Sequence, residues 1–122
     1  MKLLLGVGGS EDSLRALDRA IERAREAGDD LTVAVVDNPE SPADVDDVES
    51  EVRERLAATG FDAEVRRLEG DPGSQLVRLS EREAFDRIVL GGGETSPLGK
   101  VRLGSIAEFV ILNAGVSVTL VR

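Results

Sequence analysis

The sequence predicts an α/β domain: a single open five-stranded parallel sheet with helices on both faces. Three observations carry this. Short, nearly continuous apolar runs suit strands buried on both faces. Stretches with apolar residues at helical spacing separate them, and Gly, Pro and Asn mark the joints. At 122 residues the chain is long enough for one core and too short for two.

Lys2 to Val7 is the first apolar run, ended by Gly8-Gly9. Ser10 stands before Glu11 and Asp12, a hydroxyl cap with two acids where the helix dipole favours negative charge. Leu14, Leu17, Ile21 and Ala24 then keep helical spacing, and Gly28 can turn left-handed past the end, so the first helix spans 11–27. Leu31 to Val36 is a second buried strand, closed by Asp37-Asn38-Pro39. Val45, Val48, Val52 and Leu56 place a helix over 43–58, and Gly60 ends it. From Phe61 to Leu68, Ala63 and Val65 alternate with charged residues, as on a half-exposed edge strand. Asp71-Pro72 gives a cap with proline at the first helical position, and the third helix continues through Leu76, Val77, Leu79 and Ala84. Arg87 to Leu90 is a short core strand. The connection from Gly91 to Leu103 is too long to be routine, which points to function. Gly104-Ser105 opens a fourth helix that stops near Asn113, and Val116 to Val121 is the last strand.

Composition narrows the chemistry. Three Phe and no Trp or Tyr make the core aliphatic. The absence of Cys and His removes disulfides, thiolate catalysis, the usual zinc ligands and the commonest general base. A net charge of −9, from 24 acids against 15 bases, repels nucleic-acid polymers and anionic membranes alike. Only Lys2 and Lys100 are lysines, and the other bases are Arg. With so many Asp residues, this bias predicts adaptation to molar salt, where a Debye length of about 3 Å screens the self-repulsion. A melting temperature that rises between dilute and molar KCl tests this, and an indifferent one refutes it. No apolar run approaches the roughly 20 residues that span a bilayer, and MKLLLGVGGS reaches glycine too soon for a signal peptide. The expected location is therefore the cytoplasm.

Three segments together resemble the universal stress protein family: LLLGVGGSEDSLRALDRA, the strand ending Val35-Val36-Asp37, and IVLGGGETSPLGKVRLGSIAEFVILNAGVSVTLVR. The similarity covers the whole chain and is most specific in its last third. It implies strand order 3-2-1-4-5 (the adenine nucleotide alpha hydrolase-like arrangement), with a ligand crevice outside the strand ends that flank the switch point. Those ends are Gly8, Gly9 and Ser10 on one strand and Gly91 onward on the other.

The family's phosphate loop reads Gly, two residues, Gly, nine residues, Gly, then Ser or Thr. Anchored on Gly104-Ser105, it puts its first glycine at Gly91 and its second at Glu94, where a carboxylate replaces glycine. A second departure is Gly8, where the family commonly has Asp. What the resemblance implies for the phosphates is a cradle of Gly91, Gly104, Ser105 and Ile106, with Thr95, Ser96 and Lys100 assisting. Val35 would offer backbone groups to adenine. The implied ligand is ATP or AMP, with Mg²⁺ bridging Glu94 to phosphate if ATP binds.

The leading functional expectation is a non-enzymatic stress-response or signalling module that binds an adenine nucleotide and is read by a protein partner. The alternative is a nucleotide-free dimerisation or scaffold module, favoured by Gly8 and Glu94. A third is slow ATP hydrolysis assisted by a bound metal. Other motifs fail. Glu94 to Val101 lacks the first glycine and the final hydroxyl of the nucleoside triphosphatase loop. Gly8 to Ser13 departs at two positions from the ATP pyrophosphatase loop. The acids at Asp44, Asp46, Asp47, Glu49 and Glu51 lack calcium-loop spacing and read as a solvated helix face. On the last strand Val116, Val118 and Leu120 share one side, and an exposed apolar edge invites pairing with another chain. Many family members dimerise through this strand, which implies an antiparallel homodimer.

Overall fold

The computed structural model describes residues 1–92, 94–95 and 101–122. In chain order the elements are β1 (Lys2–Val7), α1 (Glu11–Ala27), β2 (Asp30–Val36), α2 (Val45–Thr59), β3 (Glu64–Leu68) and α3 (Pro72–Arg82). There follow β4 (Arg87–Gly91), β5 (Glu94–Thr95), β6 (Val101–Arg102), α4 (Ser105–Asn113) and β7 (Ser117–Val121). The main sheet has the order β3-β2-β1-β4-β7, and all its pairings are parallel. With β7 as the fifth strand, this is the expected 3-2-1-4-5 arrangement.

The alternation of each central strand divides the core into two layers. Leu3, Leu5 and Val7 of β1, with Val33 and Val35 of β2, face α1 and α2 through Leu17, Ile21, Val48 and Val52. Leu4, Val36, Ile88 and Leu90 face the other way, toward Leu76, Leu79 and Val110 of α3 and α4. Leu4, Leu5 and Val33 are fully buried, and each such side chain stabilises the fold by ~1.5–3 kcal/mol. The aliphatic composition thus fills both layers with branched residues.

The helix ends follow the sequence signals. The Ser10 hydroxyl accepts from Ser13 N at 3.1 Å, and the Asp71 carboxylate accepts from Ser74 N at 3.0 Å. Gly28 and Gly60 end α1 and α2 in the left-handed region, at φ 72° and 64°. Several boundaries move: α3 stops at Arg82, before Ala84, whose φ is 54°, and β7 begins at Ser117 rather than Val116. Asp44 serves as a cap, accepting from Asp46 N at 3.0 Å, so α2 begins at Val45. Only Glu64–Leu68 of the 61–68 segment pairs with β2, while Phe61 and Ala63 pack against the α1/α2 layer.

Two findings modify expectation more deeply. The long connection contains a small antiparallel pair, β5 with β6, joining Glu94 to Arg102 and Thr95 to Val101. Val116, just before the last strand, and Val118 and Leu120 within it are not free. They are partly buried against the α3/α4 layer, because α4 folds back over that face. Among the described residues β4 is the one sheet neighbour of β7, which leaves the other backbone edge of β7 open.

Candidate functional site

The chain leaves β1 toward α1 on one face and reaches β4 from α3 on the other. Their carboxyl ends therefore diverge into a crevice at the point where strand order reverses. A cavity of about 610 Å³ opens there. That volume lies within the ~300–1,000 Å³ common for small-molecule sites.

Glycines bring backbone close to this cavity. A Cβ on Gly91 would lie 2.7 Å from both Asp12 C and Ser13 N, so the bare Cα lets the first turn of α1 seat against β4. Gly8 is similarly closed, since a Cβ there would lie 2.7 Å from the Cβ of Asn38. Asn38 thus occupies the space that the first atom of an Asp at position 8 would need. Gly104 differs, because its Cβ would meet nothing within 4 Å. It is the N-cap of α4, and no side chain of its own caps the helix.

An acid from elsewhere supplies that cap. Glu40, on the connection between β2 and α2, accepts a hydrogen bond from Ser105 N at 3.1 Å. Helix N-termini favour anions because their first N–H groups lack partners in the helix. Hydrogen bonding from the Ser105 side chain and backbone N–H holds the Glu40 carboxyl below the usual carboxylate range. The chain thereby places its own carboxylate where an anionic ligand would be held.

The structure brings together Gly8, Gly9, Ser10, Gly91, Gly104, Ser105 and Ile106, all in the cavity wall. It does not bring Val35, which is fully buried and in register with Val7 on one side and Arg67 on the other. Val36 and Asn38 line the cavity from that strand end instead. Ser96 and Lys100 lie outside the described residues, as do the side chains of Glu94 and Thr95. Sequence reading missed Asn38 and Glu40; the Asn-Pro joint and an acid beside it were the available signals.

The electrostatics are one-sided. Glu11, Asp12 and Glu40 line the cavity, and no Lys or Arg does so among the described residues. No group of three potential metal ligands converges among the described residues. No described helix is long and apolar enough to cross a membrane.

Known proteins share this fold. A curated universal stress protein of Methanocaldococcus jannaschii is 34% identical over 71 residues, which cover 58% of this chain and 42% of that relative. The solved universal stress protein of Archaeoglobus fulgidus superposes with a TM-score of 0.79 at 25% identity, covering 100% of this chain and 98% of that one. Another universal stress protein, solved in complex with cAMP, gives 0.75 at 29% identity, with 100% and 96% covered. The model of the universal stress protein family matches residues 1–122, and the chain belongs to that family.

Proposed function

We propose that this protein is a non-enzymatic stress-response or signalling module that binds an adenine nucleotide between β1 and β4, its occupancy being read by a protein partner in the cytoplasm. The observation that carries the reading is the cavity at the switch point, walled by Gly104, Ser105 and Ile106 at the start of α4. A relative of the same fold is solved with cAMP, which supports an adenine ligand. The acid lining favours a ligand of low charge: AMP or a cyclic mononucleotide over free ATP. Each added phosphate charge meets Glu11 and Asp12 at short range. ATP would need Mg²⁺ to offset that repulsion. Isothermal titration calorimetry with AMP, cAMP and ATP, each with and without Mg²⁺, tests the proposal. Saturable heat with AMP, exceeding that with metal-free ATP, is expected, and no heat at millimolar ligand defeats it.

Asn38 against Gly8 and Glu40 on Ser105 favour a second reading, in which the site is filled by the chain itself and the domain acts as a dimerisation scaffold. The open edge of β7 supports pairing with a second copy. So does apolar surface on α4, where Ile111 is 42% and Leu112 74% exposed. Sedimentation in molar KCl distinguishes a dimer from a species of 13.0 kDa.

A further inference from the structure

We infer a second ligand site, for a small organic anion with an apolar body, in a groove on the α1 face of β4 and β7. On that face α2 packs over β2 and β3, and α1 over β1 and β4, reaching β7 only in part. The groove left beside α1 has a volume of about 620 Å³. Leu3, Ala20, Val89 and Val121 give it an apolar floor.

The rim is unlike the rest of the molecule. Arg15, Arg25, Arg53, Arg55, Arg66 and Arg67 each reach an acid or a carbonyl within the fold. Arg19, Arg23, Arg87 and Arg122 have no side-chain partner among the described residues, and all four line this groove. Arg78 and Arg82, away from the groove, also lack a side-chain partner among the described residues. The one acidic side chain in the lining among the described residues, Asp29, is held by the N-terminal amine at 3.0 Å. Arg87 is half-buried, and its Nε is a buried donor without a partner. In a chain of net charge −9 with 24 acids, four unpaired arginines around one concave surface are a local reversal of sign.

Guanidinium groups pair best with planar anions such as carboxylates. The apolar floor fits the body of such a molecule, and the volume fits one small ligand. A polyanion or an acidic protein surface would meet the repulsion of the whole chain, whereas a single carboxylate meets chiefly the local field.

Calorimetric titration of the full chain with octanoate, against 1-octanol and octylammonium at the same salt concentration, tests the site. One saturable octanoate site is expected, with the other two ligands about tenfold weaker or more, as the loss of a charge-assisted contact requires. Arg87→Gln should weaken octanoate about fivefold or more. Arg23→Gln, exposed on α1, should weaken it about threefold with an unchanged melting temperature. Equal binding of octanoate and octanol, or no effect of Arg23→Gln in a folded protein, overturns the proposal. So does loss of octanoate binding at concentrations where the chain sediments as a dimer, because the groove would then be an interface between copies.

Discussion

Gly91→Ala tests whether the glycine after β4 serves packing or ligand approach. The added methyl would lie 2.7 Å from Asp12 C and Ser13 N and 2.8 Å from Asp12 O. Optimal carbon contacts lie at about 3.5–4.0 Å, so the first turn of α1 must retreat by roughly 0.8 Å. All three opposing atoms are backbone, so no rotamer change relieves the contact. Overpacking of this kind costs about 1–3 kcal/mol. For a domain of this length each kcal/mol lowers the melting temperature by about 3–6 °C, so a fall of roughly 3–18 °C is expected. Gly104→Ala supplies the contrast. Its methyl meets nothing within 4 Å, and its backbone, at φ −68° and ψ 161°, suits any residue. The expected loss is about 1 kcal/mol or less, from a poorer N-cap. Yet that methyl stands beside Ser105 in the cavity wall, so AMP affinity should fall more than stability does. Thermal melts by circular dichroism and AMP calorimetry measure both. A Gly91→Ala protein melting within about 1 °C of the parent refutes the packing argument.

Glu40→Gln removes the carboxylate that holds Ser105 N, and AMP should bind about two- to fivefold tighter, the scale of a charge at a helix N-terminus; unchanged or weaker affinity by calorimetry would mean that Glu40 does not compete with phosphate. Glu83 is held below its usual range by hydrogen bonds from Arg66, including Nη2 to Oε1 at 2.7 Å. A depressed folded pKa contributes stability above the unfolded value and loses it as pH falls through the folded one. The urea midpoint should thus separate the parent from Glu83→Gln at neutral pH and converge as pH falls through the lowered folded value; a gap that widens with acid contradicts the assignment. Gly8→Asp places its Cβ 2.7 Å from the Asn38 Cβ and should destabilise by about 1–3 kcal/mol. Adding Asn38→Gly should restore the melting temperature, and failure to do so would place the strain elsewhere.

The elements legible in the sequence were those whose signal is local. The apolar run of β1 and the caps at Ser10 and Asp71 hold because strand burial and capping are decided by neighbours within a few residues. The β5–β6 pair was not legible, since two-residue strands have no period to read. Strand order needed the family resemblance, because apolar runs carry no information about their neighbours. Glu40 was missed for a topological reason: it lies 65 residues from Ser105, and only the return of α4 beside the end of β2 brings them together. The arginine groove left a fainter trace. Arg19 and Arg23, four apart on one helix, form a like-charge pair that carries a small penalty, and Arg87 heads a strand otherwise apolar to Leu90.

α1 is the wall shared by both concave surfaces. Its first turn carries Glu11 and Asp12 into the switch-point cavity, and its middle carries Arg19 and Arg23 to the groove. Two stretches of one helix therefore set opposite potentials, and the contact at Gly91 fixes how far its first turn stands from β4. Retreat of the helix would lift Ala20 and Arg23 away from Val89 and Arg87 while widening the cavity around Ser10. Gly91→Ala should accordingly weaken both AMP and octanoate, whereas Gly104→Ala, on α4 in the other layer, should weaken AMP alone. If Gly91→Ala leaves octanoate affinity untouched in a protein that melts early, α1 yields only in its first turn, and the two surfaces are mechanically independent.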